Sequence, residues 1–360
     1  MIFFVAPAED SFEMGEFIQL DGQPLQSCLR LLSYEEIVTG RKLPLGSYVF
    51  SGIDQLSPTQ RDIMARCWQA LSQASADTKL LNHPHDVLCR YELLEACFSV
   101  RRNSFRAFRA SEFSRCASFP VFLRLEREHT GSLSGLLYNK RQLIQALAKV
   151  VLRGFHTREI MIVEYCDTAD SSGVFRKYSA YIVGDAIVAN SIVHSHDWVT
   201  KWNAKVYDLT ALREELAYVE TNPHAEWLRG AFDLAKIRYG RIDYGLKGSV
   251  PQLWEINTNP TISRRLADAD LAGEQQRKFR APVRQRFLRQ FVDALSALDT
   301  VADSGRTIPV EVSPSEFRRL EVEKLATRQL RSRREAIARG AHLAASVLRR
   351  FSVRAPRARP

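Results

Sequence analysis

The spacing of apolar and polar positions changes period several times along the chain, which predicts a mixed α/β protein. Met1–Val5 is apolar but short, lacks a basic leader and runs into Glu9 and Asp10; this predicts a first strand over Ile2–Ala6 rather than a signal peptide. Gly46–Phe50 predicts a second strand. Ser57-Pro58-Thr59-Gln60 then opens a helix: Ser57 caps it, Pro58 takes the first helical position and Gln60 completes a capping box. Ile63, Ala65, Trp68 and Leu71 carry that helix onward, and Asn82-His83-Pro84 breaks the chain before a further helix around Tyr91–Phe98.

Strand patterns dominate the middle. Phe105–Arg109 and Val121–Leu125 are expected strands, the second followed by a turn-rich stretch from His129 to Gly135. Lys140–Leu152 has helical spacing. Ile160–Tyr165 and Phe175–Val183 are expected strands, and Gly184-Asp185 is a two-residue turn into a third over Ala186–Val193. Beyond residue 196 the pattern gives helices near Leu209–Val219 and His224–Ile237, a hairpin from Arg241–Tyr244 and Gln252–Ile256, and a long helix to about Leu298. Segment 300–312 reads as a linker. The capping box Ser313-Pro314-Ser315-Glu316 starts a basic helix to about Phe351.

Composition narrows the class. Of 360 residues, 45% are hydrophobic and 26% charged, ordinary globular values that exclude wholesale disorder. No charge-free apolar run reaches the roughly 18 residues of a membrane span. Six cysteines lie singly with no CxxC pair, so reduced thiols in a cytoplasmic protein are expected and a structural zinc site is not. The net charge is +10, but residues 301–360 hold fourteen Lys/Arg against six Asp/Glu, so most of the excess belongs to the C-terminal helix.

The most informative segment runs from Tyr239 to Pro260. Side chains alternate across a strand, so Arg241 and Asp243 share one face, as do Glu255 and Asn257, while Trp254 and Ile256 point the other way into the core. A hairpin brings the two polar faces together. Two carboxylates and an amide oxygen suit magnesium, a hard cation that completes its shell with phosphates and water. Arg241 beside them suits phosphate oxygens or a developing oxyanion. The same residues also fit an ion pair and turn cap at a sheet edge, and the hairpin alone leaves the two readings even.

Here the chain resembles the ATP-grasp superfamily. The Arg-x-Asp strand, the step to Glu255 and Glu-x-Asn-Thr-x-Pro are similar to that superfamily's metal-binding signature, found in D-alanine–D-alanine ligases, glutathione synthetases and ribosomal-protein glutamate ligases. Pro120–Arg124 resembles the strand ending in a phosphate-binding lysine, Thr130–Gly135 the loop over the phosphates, and Met161–Cys166 the hinge strand that holds adenine. The resemblance covers about residues 84–298. It implies an ATP-grasp fold, in which two α+β subdomains clamp a nucleotide, preceded by a small N-terminal α/β domain and followed by the basic helix. The expected divisions are 1–83 for the N-terminal domain, 84–195 for the nucleotide-clamping subdomain, 196–299 for the metal-binding subdomain and 300–360 for linker and tail.

The resemblance further implies ATP and Mg2+ as cofactors and a reaction in which a carboxylate is phosphorylated and an amine then attacks the acyl phosphate. Asp243, Glu255 and Asn257 would hold the metal, and Arg241 would be catalytic. Nucleotide contacts would come from Arg106, Arg124, Thr130, Gly131, Ser132, Glu164, Tyr165, Cys166, Asp167 and Lys177, with Asp170 a further choice for the ribose and Arg109 an alternative to Arg106. Arg176 and Lys177 lie on opposite strand faces, and Lys177 is assigned to the nucleotide. The sequence departs from the pattern: Arg124 stands where the family has lysine, and Thr261 follows Pro260 where many ligases have glycine. An ATP-grasp kinase, or a non-catalytic nucleotide-binding scaffold with the basic tail on an anionic partner, stays open beside the ligase.

His194 and His196 share a strand, where phosphate contact or ordinary hydrogen bonding outweighs zinc for want of a third spaced ligand. No nucleophile elbow or Walker A pattern occurs. The tail helix reads first as packing one side on the protein with a solvated basic face; its scarcity of aromatics disfavours base recognition.

Overall fold

The computed structural model describes residues 1–127, 131–200, 208–262, 274–300 and 305–352. The elements in chain order are β1 (Ile2–Ala6), α1 (Phe12–Leu20), β2 (Leu29–Ser33), α2 (Tyr34–Gly40), β3 (Lys42–Pro44), β4 (Ser47–Phe50), α3 (Pro58–Ala74), β5 (Leu80–Leu81) and α4 (Arg90–Ser99). There follow β6 (Ala107–Arg109), β7 (Val121–Leu125), α5 (Lys140–Leu152), β8 (Ile160–Glu164), β9 (Phe175–Val183) and β10 (Ala186–Ser195). The chain closes with α6 (Leu209–Thr221), α7 (Ala225–Ala235), β11 (Tyr239–Lys247), β12 (Val250–Asn257), α8 (Glu274–Ser296), β13 (Thr307–Pro309) and α9 (Pro314–Ser352). It is a mixed α/β fold. No described helix is long and apolar enough to cross a membrane.

The chain divides into two compact units, Met1–Ala107 with Cys166–Ser313, and Phe108–Tyr165 with Pro314–Pro360. The first unit carries a parallel sheet ordered β2-β1-β4-β5 and an antiparallel sheet ordered β10-β9-β11-β12. Every residue of β1 is buried, as its uninterrupted apolar run requires of a central parallel strand. Phe4 of β1, Tyr181 of β9, Tyr239 of β11 and Phe287 and Phe291 of α8 belong to one core that both sheets share. The capping box expected at Ser57 is present, with the Gln60 N–H bonded to Ser57 Oγ at 3.2 Å and the Ser57 N–H to Gln60 Oε1 at 3.1 Å.

Two asparagines hold the edges of the β11–β12 hairpin. Asn103 is 4% exposed. It donates to the Leu253 carbonyl at 2.9 Å and accepts from the Leu253 N–H at 2.8 Å, standing in for a neighbouring strand beside β12. Asn82 likewise donates to the Tyr239 carbonyl at 2.7 Å and accepts from the Tyr239 N–H at 3.0 Å. At Gly240 a Cβ would lie 2.8 Å from the Asn257 carbonyl oxygen, so the close approach of β11 to β12 excludes any side chain there.

The second unit has a three-stranded sheet ordered β6-β8-β7, with α5 contributing Leu143 and Val150 to its core. There α9 is fixed by Arg334, which bonds Glu159 at 2.6 Å and stacks 4.4 Å from the Phe155 ring. Along α9, Val322 and Leu325 stay exposed.

Several elements differ from the expectations. The strand at Phe105–Arg109 shortens to β6, Ala107–Arg109. Segment 300–312 is not merely a connection, because Thr307, Ile308 and Pro309 pair antiparallel with Pro44, Leu43 and Lys42. Pairing between segments so far apart in sequence leaves no local signature. Trp254 and Ile256 are only half-buried rather than core residues. A bulge after Asp243 leaves Trp254 outside the regular pairing, and its ring fills the space over Gly245, where a Cβ would meet it at 2.5 Å.

Candidate functional site

Three neighbouring strands of the first unit build one polar face. Within β11, Arg241 and Asp243 are two residues apart and point the same way. Pairing sets Arg241 opposite Asn257 and Asp243 opposite Glu255 on β12, and on the other side sets Arg241 opposite Tyr181 and Asp243 opposite Ser179 on β9. Lys177, two residues before Ser179, falls on the same face.

The carboxylates of this face are already in contact with cations. Arg241 Nε bonds Asp243 Oδ1 at 2.9 Å and its Nη2 approaches Oδ2 at 3.4 Å. Lys177 Nζ lies 3.4 Å from the same Oδ2. Glu255 Oε2 accepts from Arg90 Nη2 at 2.7 Å. Arg90 is the first residue of α4 and only 6% of its side chain is exposed. Among the described residues, Lys177, Arg241 and Arg90 form ion pairs with Asp243 and Glu255, three cations beside two carboxylates. Burial would lower the Arg241 pKa, but the Asp243 carboxylate, with Tyr181 and Glu255, drives it above its ordinary value. The guanidinium is therefore permanently charged.

The turn after β12 is tightly organised. Asn257 Oδ1 accepts from the Asn259 N–H at 2.8 Å. Ser51 Oγ, just past β4, lies 2.9 Å from the Thr258 carbonyl and 2.8 Å from Asn259 Oδ1, with one hydroxyl hydrogen to share between them. Thr261 donates to Glu13 Oε1 at 2.8 Å, and its carbonyl accepts from the Tyr181 hydroxyl at 3.0 Å. Thr258 is 4% exposed, and its hydroxyl has no hydrogen-bond partner among the described residues.

The donor chemistry fits magnesium: two carboxylates and an amide oxygen on paired strands, with room in the shell for phosphate and water oxygens. Among the described residues no group of three or more His, Cys, Asp or Glu side chains could hold a metal. A cation here would need ligands beyond the described residues.

The opposite face of β9 carries a separate charge network. Arg176 bonds both oxygens of Glu214, at 2.8 and 2.9 Å, and Asp170 Oδ2 at 2.6 Å. His194 Nε2 bonds Glu214 at 2.9 Å and so is engaged apart from the exposed His196. Asp170 also accepts from the Ser172 and Val174 N–H groups. Its bond from Arg176, then that from Val174, hold its carboxyl down at about 2. Burial opposes ionisation of Glu214, yet its bonds from His194 and Arg176 outweigh this and hold it at about 2. A depressed carboxyl contributes stability above its unfolded value near 4.5, and that contribution is lost as pH falls toward 2. Thermal melts should therefore show wild type losing its advantage over Glu214→Gln across that acid range and keeping it at neutral pH.

The remaining predicted positions divide between the units. In the second, Arg124 on β7 pairs with Met161 and is bridged to Ser132. Gly131 has φ +90°, a conformation suited to glycine, and Thr130 lies outside the described residues. Leu133 and Leu137 donate backbone bonds to Leu123 and Val121, so this stretch folds back along β7. Glu164 ends β8 opposite Val121, and the Tyr165 N–H is bonded to the Pro120 carbonyl at 2.9 Å. In the first unit, Cys166 Sγ lies 3.6 Å from Ser104 Oγ, Asp167 accepts from the Ala169 N–H at 3.0 Å, and Arg106 bonds Glu95 at 3.2 Å. In the second unit, Arg109 is paired with Glu126 through its two terminal nitrogens, Nη1 and Nη2.

Arg90 was missed by sequence reasoning. One signal exists: a cation at the first position of a helix opposes the helix dipole and needs a compensating anion, which Glu255 supplies.

No protein-family model matches the chain, and no curated protein matches it in sequence. Solved structures are similar at low identity. A D-alanine–D-alanine ligase from Bacillus anthracis shares 12% identity over 81% of this chain and 98% of its own, with a TM-score of 0.46. The VanG D-Ala:D-Ser ligase from Enterococcus faecalis shares 11% over 82% and 98%, TM-score 0.48. An ATP-grasp RimK domain protein from Sphaerobacter thermophilus shares 10% over 80% and 98%, TM-score 0.45. Likeness this distant assigns no residue a role.

Proposed function

We propose that the protein is an ATP-grasp ligase that joins a carboxylate to an amine at the expense of ATP, with magnesium at Asp243, Glu255 and Asn257. The observation that carries this reading is the strand register that sets Asp243 against Glu255 and Arg241 against Asn257 on one face shared with Lys177. Magnesium bound there would supply charge neutralisation for the phosphates.

The chain's own residues would do the following. Lys177 would meet phosphate oxygens, as would Arg124, Thr130, Gly131 and Ser132. Glu164, Tyr165, Cys166 and Asp167 would orient the base and ribose. Arg106 keeps the weakest claim, because it is committed to Glu95 and stacked 5.0 Å from the Phe98 ring. In the first step a substrate carboxylate oxygen attacks the γ-phosphorus, the bond to the β,γ-bridging oxygen breaks, and ADP leaves. The amine then attacks the acyl carbon, phosphate departs with the bonding pair, and the nitrogen loses a proton. Arg241, permanently charged, would stabilise the oxyanion of that second step. None of the six cysteines is in a disulfide, which suits a reducing, cytoplasmic location.

The test is ADP release assayed over pools of amino acids and short peptides, with hydroxylamine as a trap. A ligase requires both a carboxylate and an amine for full turnover, and with the carboxylate alone it yields a hydroxamate. Turnover that leaves a stable phosphorylated product and no hydroxamate would replace this reading with a kinase.

A further inference from the structure

We propose that Lys177 is a built-in counter-ion that weakens the hold of Asp243 on a divalent cation until phosphate draws the lysine away, so that metal binds this site more tightly with the nucleotide than ahead of it. The inference rests on the metal-and-nucleotide reading of the same face.

The cations around the carboxylates are not equivalent. Arg90 is buried to 6% exposure and bonds Glu255 at 2.7 Å. Arg241 is anchored at both ends, its fork on Asp243 and its Nη1 3.5 Å from the Thr261 carbonyl. Each would have to give up a bond of 2.9 Å or shorter to a carboxylate. Lys177 reaches Asp243 from the adjacent strand through a single contact at 3.4 Å, where Arg241 holds the carboxylate at two points. A compact ammonium on a flexible four-carbon stem is the group of this set that can swing.

Its position matters because the oxygen it approaches, Asp243 Oδ2, is one that magnesium would need. Magnesium seats at about 2.0–2.1 Å from such oxygens, so an ammonium beside that oxygen is a like charge within a few ångströms of the ion. Repulsion at that range costs well over one tenfold step in affinity even at an effective dielectric constant of about 20. Among the described residues three cations pair with these two carboxylates, a balance that favours an anion as the first arrival. Once phosphate oxygens are present the ammonium gains a partner outside the pair, Asp243 Oδ2 loses one of its two cationic neighbours while Arg241 Nη2 stays at 3.4 Å, and the same lysine that opposed the metal now holds the phosphate. Linkage makes the effect reciprocal: whatever factor the nucleotide adds to metal affinity, the metal adds to nucleotide affinity.

The probe is Mn2+, a hard cation that favours the same oxygen ligands, titrated into the full chain and followed by electron paramagnetic resonance. Titrations are run without nucleotide and with adenylyl imidodiphosphate. Lys177→Met is expected to bind Mn2+ at least about tenfold more tightly than wild type when no nucleotide is present. The gain in metal affinity from the nucleotide should shrink by a similar factor, while Lys177→Arg, which keeps the charge, should bind Mn2+ as weakly as wild type when no nucleotide is present. If methionine disturbs the strand, as judged by circular dichroism, Lys177→Gln makes the same comparison. Equal nucleotide-free affinities in wild type and the neutral variants, with Mn2+ still bound in the presence of nucleotide, overturn the lysine's role and leave the site standing. Absence of Mn2+ from wild type with and without nucleotide overturns both.

Discussion

Asp243→Asn and Glu255→Gln are expected to make ATP binding indifferent to magnesium, with affinity in the presence of the metal falling by about tenfold to a hundredfold, about 1.4–2.7 kcal/mol. Each substitution keeps the side-chain shape and removes the charge. Asp243 is 3% exposed and directly opposite Glu255, so its loss also leaves Arg241 and Lys177 facing each other without the anion between them. A site governed by phosphate contacts alone would respond the other way: removing negative charge from a cluster that holds phosphate would tighten nucleotide binding. Isothermal calorimetry separates the two by the sign of the change.

Arg90→Met is expected to destabilise the first unit by about 3 kcal/mol, the cost of leaving one member of a buried ion pair behind. In a unit of this size that lowers Tm by about 6–12 °C. Glu255 is the group left behind, and 18% of its side chain is exposed. Its released carboxylate would also lose its fixed orientation toward Asp243. Pairing Arg90→Met with Glu255→Gln should recover much of the loss, because removing both charges costs less than removing one. Thermal melts of the four proteins check this. Losses that simply add would show that Arg90 acts by packing rather than through Glu255.

Legibility in the sequence followed the range of the interaction. The capping boxes at Ser57 and Ser313 and the helical spacing of Lys140–Leu152 are local, and the structure has helices at those places. The two-residue alternation of Arg241 with Asp243 is equally local, and the hairpin places Glu255 and Asn257 across from them. Arg90 could not be read the same way, since its partner is 165 residues away. Asn82 and Asn103 look like ordinary loop residues until the strands they brace are in place. The strand Leu29–Ser33 and the helix Tyr34–Gly40 were not anticipated. Leu-Arg-Leu-Leu-Ser has no clean alternation, although Ser33 and Glu36 form a capping box at that helix start. Arg176 and Lys177 show the value of strand periodicity: neighbours in sequence, they serve separate acid clusters on opposite faces.

The central claim is that Asp243 and Glu255 hold a cation that accompanies a nucleoside triphosphate. Calorimetric titration of ATP into wild type and Glu255→Gln, each with magnesium and then with a chelator, tests it most directly. The account predicts tight binding in wild type only with magnesium, and weak binding in Glu255→Gln under both conditions. Wild-type binding that is equally tight in the chelator and unchanged by Glu255→Gln would contradict it.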